Sequence, residues 1–326
     1  MIPHEEQATA HKVFLSLIIP VFNECESIGP FIERIADVFV DRSDLKVQLV
    51  FVNDGSTDDT LNTILGLREY FFSVEVVDLS RNFGKEAALT AGLHAAKGQV
   101  VVPIDVDLQD PPELIFEMLE QWQKGFEVVL AMRVDRSSDS WLKRLSARWF
   151  YRIYNKISST KLPENVGDFR LMDRIVVDAL NQLPESQRFM KGLFAWIGFR
   201  TSHVEFVRAK RAVGDSRFGG WKLWNLALEG VTSFSTDPLR IWTYLGLVVS
   251  LFSVFFAIWI VVKVLVMGID VPGYASQMVA VVFFGGLQLM GIGIVGEYLG
   301  RTYTESKRRP IYVVRKLHSA PAIKEK

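Results

Sequence analysis

The chain has a single cysteine, Cys25, among 326 residues. A disulfide framework is therefore excluded, and so is a zinc site built from several thiolates. None of the five histidines (His4, His11, His94, His203, His318) forms an H-x-x-x-H pair, the spacing that sets two imidazoles on one helix face. No G-x-G-x-x-G follows a strand-like run and no G-x-x-x-x-G-K-[ST] occurs. The backbone phosphate cradles of dinucleotide dehydrogenases and P-loop NTPases are thus missing, and phosphate handling falls to basic side chains and a metal. Net charge is missing too, with 37 Lys and Arg against 37 Asp and Glu. That balance argues against a nucleic-acid partner, whose footprint is a basic excess. The first twelve residues are polar and lack an apolar run, so no secretory signal is expected.

Apolar residues are plentiful, at 49% against 23% charged, which excludes a disordered chain. The length allows one large domain or two modest ones. Two runs are free of charge altogether, Ile241 to Val262 and Val271 to Gly296. Each exceeds the roughly 20 residues that a helix needs to cross a bilayer. The turn between them, Gly268 to Tyr274, contains Asp270 but no Lys or Arg, whereas Arg240 precedes the first run and Arg301, Lys307, Arg308 and Arg309 follow the second. The positive-inside rule then places both ends of this hairpin, and everything before Arg240, on the cytoplasmic side. Lys263 at the far end can snorkel to the interface. The spacing Gly296-x-x-x-Gly300 reads as a small-residue packing motif that serves either a homo-oligomer or the hairpin itself. From Arg301 onward eight Lys or Arg face two Glu, and this stretch reads as a basic cytoplasmic tail.

Residues 14–133 alternate between two periodicities. Apolar, β-rich runs stand at Phe14–Val21, Val47–Asn53, Val74–Leu79, Val100–Asp105 and Val128–Arg133. Helix-like stretches lie between them at Ser27–Val40, Asp59–Glu69, Lys85–Lys97 and Pro112–Lys124. The alternation predicts a parallel sheet covered on both faces, in which ligands bind beyond the carboxyl ends of the strands. Three of those ends are polar: Pro20 to Glu24, Asn53 to Asp59, and Asp105 to Pro112. Asn-Asp-Gly-Ser is also ordinary turn chemistry, and Asp58 can cap the next helix. Asp105 and Asp107, two residues apart, can both reach one hard cation.

Five segments in this order resemble glycosyltransferase family 2: Ile18 to Glu24, Val52 to Asp58, Ser80 to Glu86, Asp105 to Pro112 and Gly167 to Leu171. The likeness runs over nearly the whole chain, is nearest to the branch that glucosylates polyprenyl phosphate, and is more distant from dolichyl-phosphate mannose synthases. It implies an α/β, Rossmann-like nucleotide-sugar domain of the type called GT-A. It also implies an inverting transfer of a hexose from a nucleotide sugar, UDP-glucose foremost, to polyprenyl phosphate at the bilayer. By this resemblance Pro20, Phe22, Glu24 and Asp54 hold the nucleoside, Lys85 also belongs to the nucleotide-sugar site, and Arg133 binds a phosphate. Asp105 and Asp107 form the D-x-D pair at the diphosphate, and Asp105, Asp107 and Gln109 are the ligands of Mg²⁺ or Mn²⁺, Asp107 and Gln109 matching those of the mannose-synthase branch. Val106 replaces the alanine usual in the mannose-synthase branch. Asp168 and Arg170 stand beside the sugar, Asp168 as a positioning group first and a base second, and Arg170 also at the acceptor phosphate.

Between the nucleotide domain and the hairpin, Trp141 to Ile157 places aromatic and aliphatic residues at helical spacing with Lys and Arg between them, and Phe218 to Phe234 carries Trp221 and Trp224. The first reads as a basic helix lying on anionic lipid, with a core-facing helix bearing a solvated basic face as the alternative, and the second reads as another interfacial helix. Arg208 and Arg211, just before the second, are candidates for the acceptor phosphate. The expected organisation is 1–135 nucleotide-sugar domain, 136–239 acceptor-side region, 240–300 membrane hairpin and 301–326 tail. Other sugars (mannose, a hexosamine, amino-arabinose) suit the same pattern. A processive synthase is disfavoured because no Q-x-x-R-W occurs, and a non-enzymatic scaffold because Asp54, Asp105 and Asp107 are intact.

Overall fold

The computed structural model describes residues 12–67, 72–134, 166–186, 188–207, 237–267 and 273–319. One eight-stranded sheet organises them: β1 Val13–Val21, β2 Leu45–Asn53, β3 Ser73–Leu79, β4 Val100–Pro103, β5 Val128–Arg133, β6 Val166–Asp173, β7 Thr201–Phe206 and β8 Val314–Ser319. Their spatial order is β7-β5-β6-β4-β1-β2-β3-β8. Within residues 14–133 the expected strands and helices all form, with ends shifted by a few residues. The helices of the sheet domain are α1 Cys25–Phe39, α2 Thr60–Leu65, α3 Lys85–Ala95, α4 Leu114–Gln123, α5 Arg174–Asn181 and α6 Met190–Trp196.

β1 and β2 are apolar on both faces because helices cover both faces. The larger core packs Leu17, Leu49 and Phe51 against the α1 stripe Ile28, Phe31, Ile32 and Ile35, whose spacing is that of one helix face. On the other side, α3 presents Ala87, Ala88, Ala91 and Gly92. These small residues let the helix lie close to the sheet, so that a Cβ on Gly92 would collide with the Ile18 side chain. The N-terminus of α3, and with it Lys85, is thereby fixed beside the carboxyl ends of the strands.

Two features correct the sequence reading. The sheet is mixed: β6 lies antiparallel between β4 and β5, and β8 lies antiparallel to β3. An inserted antiparallel strand starts where its neighbours end, so Gly167 and Asp168 enter at the carboxyl edge. The expected domain limits also give way. β6 and β7 belong to the same sheet as β1 to β5, and the supposed tail supplies an edge strand of that sheet. Its charges hid the strand; Arg315 and Lys316 are what an exposed edge carries to discourage further pairing.

The two uncharged runs form long helices, α7 Asp237–Met267 and α8 Tyr274–Ser306. Taken over the described side chains alone, no helix is long and apolar enough to cross a membrane. Yet the backbone of α7 is helical for 31 residues and that of α8 for 33, and their sequences hold the uncharged runs described above. The helices approach closely at Gly291, where any side chain would strike the Trp242 indole. Gly296 and Gly300 have open space around them instead, so the hairpin does not use that pair.

Candidate active site

The loop after β1 and the loop after β2 are stitched together. Asn23 adopts a left-handed φ of 54°; its Oδ1 accepts from the Thr57 N–H at 2.8 Å, and its own N–H donates to Ser56 Oγ at 3.0 Å. Gly55, at φ +66°, lies so near the next loop that a Cβ would sit 2.6 Å from the Asn82 nitrogen. Only glycine meets both demands. Asp54 ties in that third loop: its carboxylate accepts from the N–H of Phe83 at 2.7 Å and of Gly84 at 2.9 Å. Burial, at 4% exposure, raises its pKa, and these two hydrogen bonds oppose the rise. Asp54 thus shapes the turn that leads into α3.

Lys85 opens that helix and bridges two carboxylates. Its Nζ lies 2.8 Å from Asp105 Oδ1 and 2.9 Å from Asp168 Oδ2. Burial works against the ammonium, but Asp168 and then Asp105 outweigh it and raise its pKa. Asp168 shows the reverse balance. Burial alone would raise its pKa, yet Lys85 and Lys191 hold it down to about 2. It is therefore ionised at neutral pH and a weak proton acceptor.

Glu86, which the sequence did not single out, stands on the inner side of this pair. Its Oε2 accepts from the Met190 N–H at 2.9 Å. Burial and the neighbouring Asp168 charge push its pKa up to about 7. A carboxyl raised from 4.5 to about 7 holds a proton in the folded state that the unfolded chain has released, so stability falls as pH rises through that window. Glu86→Gln should flatten this slope, which urea unfolding at pH 5, 6 and 7.5 would reveal; an unchanged slope would show that Glu86 titrates normally.

Asp105 and Asp107 follow β4. Asp107 Oδ1 accepts from the Gln109 N–H at 3.2 Å, and Leu108 between them takes a left-handed φ of 54°. No group of three or more Asp, Glu, His or Cys suited to a metal exists among the described residues. The donor set still fits Mg²⁺ or Mn²⁺, which take one or two carboxylates and complete their shell with substrate phosphates. Arg133 ends β5 on the same edge, its guanidinium 4.0 Å from Asp110 Oδ1. Phe22 is 42% exposed at the end of β1, free to meet a flat ring. Pro20 precedes it in the strand, and the Glu24 carboxylate accepts from Ser27 Oγ at 2.7 Å.

Arg170 is placed otherwise than expected. It is 4% exposed, bonds Gly167 O at 2.7 Å and lies 3.9 Å over the Phe194 ring. Burial pulls its pKa down to about 10. An interior guanidinium against a ring does not face a lipid headgroup, so Arg170 is removed from the acceptor site. Arg208, Arg211 and both expected interfacial helices lie outside the described residues.

Residues 16–180 match the family model described as glycosyl transferase family 2. The chain belongs to glycosyltransferase family 2. It is 51% identical, over 93% of its length and 99% of the relative's, to the prophage bactoprenol glucosyl transferase homolog of Escherichia coli K12. It is 52% identical, over 92% of its length and 98% of the relative's, to the bactoprenol glucosyl transferase of Shigella phage SfV. Mannosyl-3-phosphoglycerate synthase from Rubrobacter xylanophilus superposes loosely, with a TM-score of 0.46 at 20% identity over 67% of this chain and 72% of that one. For a family 2 glycosyltransferase, the strand edge where Asp54, Lys85, Asp105, Asp107 and Asp168 converge is the candidate active site. It joins acceptors for a cation to a fixed ammonium, a combination suited to an anionic leaving group.

Proposed function

We propose that this glycosyltransferase moves glucose from UDP-glucose to bactoprenol (undecaprenyl) phosphate at the cytoplasmic face of the inner membrane. The lipid-linked glucose then serves as a donor for cell-surface glycans of the O-antigen type. The observation that carries this reading is the likeness of about half of all residues, over nearly the full length, to relatives named bactoprenol glucosyl transferase.

The chemistry agrees. A lipid phosphate is already an anion near neutral pH, so an oxygen of it attacks the anomeric carbon without giving up a proton. The bond from that carbon to the UDP oxygen breaks, and UDP departs with the electron pair. No strong base is needed, in keeping with an Asp168 held ionised and weakly basic by Lys85. A divalent cation bound by Asp107 and Gln109 beside Asp105 would offset the charge growing on the diphosphate. Lys85 holds Asp105 in place and adds a positive charge at the same edge.

Membrane attachment is supported by the hairpin surface. Leu265 is 80% exposed, Val266 74%, Leu289 71% and Phe255 70%, large apolar side chains that water would not tolerate in such number and lipid would. A second support is independent of charge counting: the strand that follows α8 pairs with β3. A chain that leaves the sheet domain, crosses twice and returns to the same sheet has both hairpin ends on one side. Arg208 and Arg211 remain our candidates for the lipid phosphate.

Membranes carrying the protein should be offered radiolabelled UDP-glucose, UDP-hexosamines, UDP-amino-arabinose and GDP-mannose, and the lipid product identified. UDP-glucose should give a β-linked product, since a single displacement inverts the α-linked donor. Labelling only from another sugar would replace glucose in this reading, and an α-linked product would rule out the single displacement.

A further inference from the structure

We infer that Arg315, on the strand that returns from the membrane hairpin, is a positioning residue of the donor site. The turn from Ser80 to Gly84 is held at its far end by Asp54, as described above. Its near end is held by the C-terminal segment. The Ser80 N–H donates to Val313 O at 2.9 Å, and Ser80 O accepts from Arg315 Nη2 at 2.7 Å. Both backbone groups of Ser80 are thus satisfied from a segment 235 residues away.

Arg315 reaches a second loop as well. Its Nη1 lies 3.8 Å from Asp78 Oδ2, and Asp78 Oδ1 accepts from Asn53 Nδ2 at 2.8 Å. Asn53 Oδ1 in turn accepts from the Ser56 N–H at 3.2 Å. One guanidinium therefore joins the β3 turn to the loop after β2. The approach to β8 is fixed in turn, because the Tyr312 hydroxyl lies 2.7 Å from His94 Nδ1 on α3. Pairing β8 with β3 needs only backbone groups. A forked side chain spanning Asp78 and Ser80 O goes beyond what an edge strand requires, and Ser80 begins the turn that leads to Lys85.

This role rests on the reading of the strand edge as the nucleotide-sugar site. The test compares the full-length enzyme with Arg315→Ala, Arg315→Lys and, as a control on the same strand, Lys316→Ala. In Arg315→Ala the KM for UDP-glucose should rise about three- to tenfold, the effect of one partly exposed charge-assisted contact. The KM for the lipid and the melting temperature should stay near those of the parent. Amide exchange at Phe83 and Gly84 should quicken. Arg315→Lys should recover part of the loss, keeping the charge but not the fork, and Lys316→Ala should behave like the parent. An unchanged donor KM with unchanged exchange overturns the inference. So does a fall in melting temperature with all constants altered alike, since that is mere sheet repair. Should the parent use no UDP-sugar while exchange at Phe83 and Gly84 still quickens in Arg315→Ala, the clamp stands and the donor assignment fails.

Discussion

Replacing Lys85 with methionine should lower kcat by on the order of 10²–10³-fold, the usual loss when a fixed charge-stabilising group is removed from an active site. Two effects combine. The ammonium that bridges Asp105 and Asp168 disappears, and the carboxylates it held apart from other partners are left to repel each other. Asp168, most of whose side chain is buried, then keeps a charge without its first neutralising neighbour. Breaking a buried pair commonly costs about 3–5 kcal/mol. Because Lys85 is itself 45% exposed, we expect a smaller loss of about 1–2 kcal/mol after solvent screening. Lys85→Arg keeps the charge and should keep most of the stability while losing turnover, since a planar fork cannot replace a point donor between two carboxylates. Single-turnover rates and chemical unfolding of both variants would check this. Parent-like turnover in Lys85→Met would reduce the bridge to a surface ion pair.

Asp107→Asn should have a comparable effect through a different group, about 10²-fold or more in rate. The substitution keeps the shape of the loop, including an oxygen able to accept from the Gln109 N–H. What it removes is negative charge at a hard-cation site. Mn²⁺ binding, followed by its paramagnetic effect on water relaxation, should weaken in step with activity, and added Mn²⁺ should recover part of the rate. Full activity of this variant in the presence of a chelator would remove the metal from the mechanism.

How much of this was legible in the sequence differs from element to element. Strands β1 to β5 were readable as short apolar, β-rich runs and helices α1 to α4 as the longer helix-like stretches between them. The polar strand ends were readable because a parallel sheet directs its carboxyl edge to ligands. The pairing of Lys85 with Asp168 was not, since it joins residues on α3 and β6 that only the antiparallel insertion brings together. Glu86 gave no signal: a glutamate in the first turn of a helix is ordinary, and its burial depends on the arrival of Met190. Arg170 misled because an arginine beside an active-site aspartate suggests phosphate, whereas its guanidinium packs on Phe194. The strand at Val314–Ser319 was masked by the basic residues around it, and its partner lies far away in the chain.

That last strand sets an order of events during synthesis. β3 is complete by residue 79, but its outer edge pairs with residues 314–319. The sheet therefore stays one strand short until both long helices and β8 have been translated. Throughout that interval β3 offers unpaired N–H and C=O groups, the kind of edge that recruits other chains. The closing contact must also find its place across a segment that contains both long helices, α7 and α8, a separation that slows folding. If α7 and α8 cross the bilayer as proposed, a hairpin inserted in the wrong orientation would leave β8 on the far side, and the sheet could not close. Completion of the sheet is in this way made conditional on the arrival of β8, and a chain in which β8 cannot reach β3 is left with an open edge and the Ser80 end of the turn into α3 unheld.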